Sequence, residues 1–510
     1  MNPAPDVHAP ERLHPLLATL IVFLSNFGIL VLELVAGRLT APIVGISLYT
    51  WTSIIGIILA GISLGNYLGG KIADRWASLT VLAWLFVLSA LGSASILWTI
   101  DLINPLRELE LPIILGVLLI FTAVFLLPST LLGTISPVVV KLTLADLNRT
   151  GDIVGKIYAA GAAGSIAGTF ATGFFLISTF GTRLLVWGVA GGLLLIGALI
   201  GLSARRRLRY GPALLLGLFL ALSVAAWQGG WLGSRCLRET DYYCIKVRPD
   251  DKEPNLRVLT LDRLVHSYVD PDNPTYLRYG YERVYADVVG AAFPEEEPLS
   301  ALFIGGGGYT FPRYLEVTRP GSRVEVIEID PGVTETAYAA LGLPADTTIM
   351  TFNEDARRFI GSLPPGQGYD LIVGDAFNDF SVPYHLTTLE FDQQVAAHLK
   401  PDGLYLVNII DGREGAFLRA YVSTLQQVFA QVYVSPVVGQ IGQLSRQTYV
   451  LVAANRALPI HAARPSPLDE QFITPAELAD YLQQTPPLIL TDDYVPVDNL
   501  LAPVFADSGL

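Results

Sequence analysis

Two cysteines and six scattered histidines are all that 510 residues offer in the way of soft or imidazole ligands, and neither a Cys-x-x-Cys nor a His-Glu-x-x-His spacing occurs. No metal site is expected from such a set. Cys236 and Cys244 are either a disulfide outside the cytoplasm or two unrelated thiols within it. Charge is scarce as well: Asp, Glu, Lys and Arg make up 15% of the chain, with a net charge of −13. No nucleic-acid partner is expected from that balance. Met1–His14 has no cleavage site of a secretory leader, so the first apolar run is expected to be retained.

What the chain does have is apolar length, almost all of it in the first 230 residues. Seven runs there approach or exceed the ~20 residues that cross a bilayer: roughly 16–37, 44–69, 79–100, 111–133, 155–179, 182–202 and 211–230. Basic residues gather in alternate loops, at Lys71 and Arg75, at Lys141, Arg149 and Lys156, and at Arg205, Arg206, Arg207 and Arg209. With Arg12 on the same side, this pattern puts the N-terminus in the cytoplasm. Gly69 to Arg75 resembles the loop after the second helix of major facilitator transporters, which agrees. Gly61, Gly65 and Gly69, and likewise Gly161, Gly164 and Gly168, form small-residue faces suited to close helix packing or to self-association. Glu33 lies inside the first run, where a carboxylate is costly unless paired; Arg38 is a candidate partner. A single acid gives little support to transport.

The second half is acidic, with 20 basic against 37 acidic residues. That suits a cationic substrate by long-range attraction, and equally suits plain solubility. Residues 239–268 alternate in strand fashion and predict a small antiparallel unit. Strands near 301–305, 323–327, 347–351, 370–375 and 403–409 then alternate with helices near 308–317, 331–341, 355–362, 385–399 and 414–429. This predicts a doubly wound, Rossmann-like parallel sheet of methyltransferase type. Its first half carries Gly305-Gly306-Gly307-Gly308 after an apolar strand and Glu328, 23 residues after Gly305, at the end of the next. Glycines there let a nucleoside approach the backbone, and the acid can take both ribose hydroxyls. The plainer alternative is that the glycines only pack helix against strand. Gly305 to Gly308, Glu328, Asp355 and Asp375 all fall at or just after strand ends, where such sheets bind ligands. The expected organisation is a seven-span domain (1–232), a small β unit and linker (233–298), the parallel-sheet domain (299–455) and a tail (456–510).

Over roughly 239–455 these residues resemble the polyamine aminopropyltransferases, spermidine synthase in particular, in the membrane-fused bacterial form. Glu239-Thr240-Asp241-Tyr242-Tyr243 is similar to the family's opening E-S-x-Y-Q. Leu261-Asp262-Arg263 and Tyr281-Glu282-Arg283 resemble its L-D-G and Y-H-E segments. The four glycines stand at its G-G-G-D-G, and Glu328 at its ribose-binding acid. Asp355-Ala356 matches the pair contacting adenine, Asp375-Ala376-Phe377-Asn378 the D-S-S-D catalytic loop, and Pro383 the proline lining the donor pocket. Thr491-Asp492-Asp493-Tyr494 resembles the tail of the fused branch.

The resemblance implies attack of putrescine, or a related polyamine, on the carbon beside the sulfonium of decarboxylated S-adenosylmethionine, a co-substrate rather than a tightly bound cofactor. Methylthioadenosine is the nucleoside product. Asp375 would deprotonate the amine, with Tyr281 fixing the same nitrogen. Tyr243, Gly305, Gly306, Gly307, Glu328, Asp355, Ala356 and Pro383 would bind the donor; Glu282, Asn378 and Asp379 would face the acceptor. Four positions depart from the pattern: Gly308 and Asn378 replace aspartates, Tyr243 a glutamine and Glu282 a histidine. Two other readings stand beside this one. One is an S-adenosylmethionine-type transferase with another acceptor. The other is a non-catalytic membrane sensor or transporter binding a thionucleoside or polyamine. A multi-pass protein of the cell membrane, in contact with lipid, is expected in each case, with a homodimer as a candidate assembly. The arginines before the seventh run and the cysteine pair beyond it lean toward a soluble half outside the cytoplasm. The donor nucleotide, made inside, argues for a seventh segment that does not span.

Overall fold

The computed structural model of the chain describes residues 12–103, 113–144, 150–204, 210–364, 366–376, 382–461 and 468–507. The chain divides into two compact units, with the main boundary between Asp241 and Tyr242. In the first, seven helices are long and apolar enough to cross a membrane. They are α1 (Pro15–Val44), α2 (Leu48–Trp76), α3 (Leu79–Ile103), α4 (Leu115–Thr143), α5 (Thr150–Phe180), α6 (Thr182–Ser203) and α7 (Gly211–Gln228). Each coincides with one of the apolar runs.

Both glycine faces are used inside this unit. A Cβ on Gly164 of α5 would sit 2.1 Å from the carbonyl oxygen of Phe23 in α1. One on Gly65 of α2 would sit 2.1 Å from that of Thr130 in α4. Close backbone approach between these helix pairs therefore depends on the missing side chains, and the packing alternative holds over self-association. The segment after α7 is tied back to the same unit by charge. Buried Arg183 donates to both oxygens of Asp101 at 3.2 and 3.4 Å, and Arg235 reaches Asp101 at 2.7 Å. The Arg183 guanidinium also lies 4.9 Å over the Trp231 ring. Glu239 accepts from the backbone N–H of Thr182 at 2.7 Å and from the Ser234 hydroxyl at 2.5 Å, so it caps α6. The first residue of the E-S-x-Y-Q-like stretch thus belongs to the helical unit. Arg38, raised as a partner for Glu33, donates to the carbonyl of Thr240 at 2.9 Å. Cys236 and Cys244 are both disulfide-bonded, which decides against two unrelated thiols.

A two-residue strand, β1 (Arg238–Glu239), precedes the second unit. That unit opens with an antiparallel meander of β2 (Cys244–Pro249), β3 (Arg257–Leu261) and β4 (Leu264–Val269), followed by α8 (Gly280–Ala292). The main sheet comprises β5 (Ser300–Ile304), β6 (Arg323–Ile327), β7 (Met350–Phe352), β8 (Tyr369–Gly374), β9 (Leu399–Asp411), β10 (Gln431–Pro436) and β11 (Gln447–Ala454). Its order is β10-β11-β9-β8-β5-β6-β7. The five strands from β9 to β7 are parallel, as the alternating pattern requires. Their runs are apolar throughout: Ala301, Leu302, Phe303 and Ile304 are all buried, because helices cover both faces.

Those helices are α9 (Thr310–Thr318), α10 (Pro331–Ala340), α11 (Ala356–Ser362), α12 (Leu389–Ala397) and α13 (Ala416–Leu425). Starts are marked by side-chain caps: Asp330 accepts from Gly332 N–H, Asp355 from Arg358 N–H and Thr388 from Phe391 N–H. The expected multi-span domain joined to a doubly wound sheet with a small β unit is the observed fold. Two features were not anticipated. One is α8, whose residues stood out only as a motif. The other is the hairpin of β10 and β11, which runs antiparallel beyond β9 and breaks the strand–helix alternation on which the reading rested.

Candidate functional site

From β5 the chain runs outward through β6 and β7, then returns to place β8 on the other side of β5. The crevice between β5 and β8 is therefore the topological switch point, where ligands of such sheets bind. In the parallel register Ile304 stands beside Gly374, so the residues just past them, Gly305 and Asp375, are neighbours. Asp375 N–H donates to the Ile304 carbonyl at 2.9 Å. Gly305 has φ +100°, and a Cβ there would lie 2.6 Å from the Asp375 carbonyl oxygen. Only glycine meets both conditions.

Two cavities adjoin at this point, sharing Gly305, Gly307, Asp375 and His266. The smaller, about 100 Å³, is lined by Tyr243, Glu328, Asp355, Ala356 and Pro383. Glu328 is buried; one oxygen accepts from Gly306 N–H at 2.8 Å and Gly307 N–H at 3.4 Å, the other from Asp330 N–H at 2.9 Å. Burial raises its pKa, against the pull of those donors. Asp355 accepts from Arg358 N–H at 3.0 Å and meets His385 Nε2 at 2.8 Å. Burial alone would raise the Asp355 pKa, but these partners outweigh it and the carboxyl sits below its usual range.

The larger cavity, about 240 Å³, is walled by α8 on one side and by the carboxyl ends of β8 and β9 on the other. Tyr281, Glu282 and Tyr285 of α8 line it together with Asp375, Asn408 and Gly306. Asn408 donates to Asp375 at 2.8 Å, and the Tyr281 hydroxyl is hydrogen-bonded to the same carboxylate. Burial nevertheless raises the Asp375 pKa to about 6. Glu282 goes higher, to about 8, first through burial and then through the negative charge of Asp375; Thr310 and Arg283 oppose this. Near neutral pH the pair thus holds one proton, on Glu282, and one negative charge, on Asp375. Among the described residues, Glu282 Oε2, Asn408 Oδ1 and the Tyr285 hydroxyl are buried with no hydrogen-bond partner. Buried polar atoms left in that condition are costly unless a ligand meets them. Two acceptors and a hydroxyl amid tyrosine rings suit a cationic amine.

At Gly308, where the resemblance would place an aspartate, β4 fills the space. Ser267 Oγ accepts from Gly308 N–H at 2.8 Å, and a Cβ would meet Ser267 and Val269 side-chain carbons at 2.6 Å. Asn378 and Asp379 lie outside the described residues. Sequence reasoning missed Asn408, His266, His385 and Arg446. Asn408 had a signal, as the lone polar residue in the apolar run from Leu404 to Ile410. The other three occupy ordinary strand or turn positions and had none. Among the described residues no group of three or more metal-ligating side chains is assembled.

No family model matches the chain. Among curated proteins, it is 32% identical over 132 residues to a probable polyamine aminopropyl transferase of Bifidobacterium longum, covering 26% of this chain and 29% of that one. It is 33% identical over 143 residues to the polyamine aminopropyltransferase of Vibrio vulnificus, covering 28% and 46%. The sequence resemblance to polyamine aminopropyltransferases is borne out. It holds for part of the chain only, which spans less than half the length of either relative. A human eEF1A lysine and N-terminal methyltransferase is 26% identical over 159 residues, covering 29% and 23%.

The buried proton on Glu282 has a measurable consequence for stability. A folded pKa of about 8 lies above the ordinary 4.5, so its stabilising contribution is complete below pH 4.5 and lost as pH rises to about 8. Glu282→Gln does not titrate. Its Tm, relative to the wild-type chain in detergent, should rise from about pH 5 upward and level off above about pH 8. A Tm difference that stays flat over that range would contradict a protonated Glu282.

Proposed function

We propose that the chain is a membrane-embedded aminopropyltransferase. It moves the aminopropyl group of decarboxylated S-adenosylmethionine to putrescine or a related amine and releases methylthioadenosine. The observation that carries this reading is the pair of cavities meeting at Asp375, one suited to a nucleoside and one to an amine. In the smaller cavity Glu328 takes the ribose hydroxyls, Asp355 and Ala356 face the adenine, and Pro383 and Tyr243 close the sides. In the larger, the amine lies against Asp375, Tyr281 and Glu282. The amine nitrogen forms a bond to the carbon beside the sulfonium. The carbon–sulfur bond breaks with its electron pair going to sulfur, which becomes the neutral thioether of methylthioadenosine. The proton lost by nitrogen passes to Asp375, whose pKa of about 6 keeps it ionised yet basic at neutral pH. Alignment of nitrogen, carbon and sulfur across the junction supplies much of the acceleration.

A second reading has one observation in its favour, the methyltransferase among the relatives. The same nucleoside cavity would then hold S-adenosylmethionine, and a methyl group would leave. Purified full-length protein incubated with either donor and a panel of amines separates the two. The first reading predicts methylthioadenosine from the decarboxylated donor. S-adenosylhomocysteine from the other donor, with no methylthioadenosine, would overturn it. Asp375→Asn fills the same space but cannot accept the proton, so turnover should fall by about 10²- to 10⁴-fold with methylthioadenosine binding retained. Wild-type turnover in that variant would remove Asp375 as the base.

The seven apolar helices support a multi-pass membrane protein. The disulfide-bonded state of Cys236 and Cys244, just past α7, supports a soluble unit on the oxidising side of that membrane. Membrane-impermeant maleimide applied to intact, mildly reduced cells should then label Cys236, the less buried of the two. Labelling only after permeabilisation would place the unit in the cytoplasm.

A further inference from the structure

Asp492 lies 135 residues beyond Arg357 in the chain, yet its two oxygens accept from both Nη atoms of that arginine, Nη1 at 2.7 Å. A bidentate carboxylate–guanidinium pair is the strong form of this contact. The tail that delivers Asp492 is itself firmly seated. Thr491 and Tyr494 exchange backbone hydrogen bonds at 3.1 and 3.0 Å, closing a tight turn. Just before it, buried Leu490 donates to the Thr424 hydroxyl of α13 at 2.9 Å and accepts from Leu389 N–H of α12 at 2.8 Å. Asp492 N–H donates to Glu390, also of α12, at 2.9 Å. The Asp492 carboxyl is held below its usual range, first by the Arg357 hydrogen bonds, which outweigh burial, and then by that of Thr388.

Arg357 carries this anchor to the nucleoside cavity. It follows Ala356, which lines that cavity, in the first turn of α11. Its Nη1 also donates to the carbonyl of His385 at 3.0 Å. His385 sits in the short turn Tyr384–Leu386 and, with Pro383 and Leu386, lines the same cavity. Its Nε2 returns to Asp355 at 2.8 Å. Asp355, Arg357 and His385 thus close a ring that ties the start of α11 to the Pro383–Leu386 wall. Within it Asp355 is held at both oxygens, one by Arg358 N–H and the other by His385. Each oxygen keeps a lone pair for a ligand. A carboxylate there accepts from the 6-amino group of adenine and opposes the 6-oxo group of hypoxanthine. That choice is only as sharp as the placement of the carboxylate, which its supporting partners fix.

Resting on the nucleoside reading of the smaller cavity, we propose that Asp492 and Arg357 are positioning residues of the donor site. Through them the C-terminal tail holds the Asp355–His385 pair in place and sets a preference for a 6-amino purine. The test measures binding of methylthioadenosine and of its 6-oxo analogue, methylthioinosine, to full-length protein by calorimetry, with no turnover required. The wild type should bind methylthioadenosine at least about tenfold more tightly than methylthioinosine. Asp492→Asn keeps the shape and removes the charge; it should weaken methylthioadenosine about three- to tenfold and methylthioinosine by less than about twofold. Arg357→Gln should do at least as much, and the double variant no more than Arg357→Gln alone, because the two residues act as one unit. Asp492→Glu should restore much of the preference, while Asp493→Asn, one residue on, should leave it at the wild-type value. Equal weakening of both nucleosides by Asp492→Asn would reduce the tail to a general support of the fold and overturn the proposal. Unchanged binding in that variant, or the same loss in Asp493→Asn, would overturn it too. A wild type that binds neither nucleoside would instead overturn the parent reading, so the two failures are told apart.

Discussion

The parallel pairing of β5 with β8 is the constraint on which the site depends. It brings two chain segments 70 residues apart to one line, Ile304 beside Gly374, and leaves Gly305 pressed against the backbone of Asp375. Any side chain at Gly305 would drive these strand ends apart. With the glycine in place, the turn that follows points the N–H groups of Gly306 and Gly307 at Glu328. Glu328, which lines the smaller cavity, and Asp375, which lines both, are therefore positioned by a single junction.

Burial then does to the carboxylates what no sequence pattern specifies. Burial raises both Asp375 and Glu282 in a tyrosine-rich wall, and the charge of Asp375 adds to the cost of ionising Glu282. The outcome is a Glu282 that keeps its proton to higher pH than Asp375 does. Glu282 stands where the related family has a histidine, yet in its protonated form it too offers a neutral donor and acceptor. Gly308 is a different kind of departure. There β4 has moved into the room an aspartate side chain would take, and the cavity's other unmet acceptors, Glu282 Oε2 and Asn408 Oδ1, lie on α8 and β9.

Much of this architecture was legible because it is local. Hydrophobic length marks the seven helices, and the run from Leu302 through the glycines to Glu328 marks the first half of the doubly wound unit. The β10–β11 hairpin was not legible, since it is set by antiparallel pairing with β9 after the alternating pattern has ended. Asn408 could have been read as a polar residue in a buried strand. Arg446 could not, because its place in the wall of the larger cavity exists only in the folded chain. Glu239 shows the reverse case: a motif-like position whose side chain caps α6 in the helical unit.

The account's central claim is that one junction seats a nucleoside on Glu328 with its reactive end turned toward Asp375. A cryo-electron microscopy map of the full-length protein with methylthioadenosine bound tests it most directly. The account predicts ribose hydroxyls at about 2.5–3.0 Å from the Glu328 oxygens, adenine beside Asp355 and Ala356, and the sulfur opening into the cavity of Asp375, Tyr281 and Glu282. A nucleoside bound elsewhere, or one whose sulfur faces away from Asp375, would contradict it.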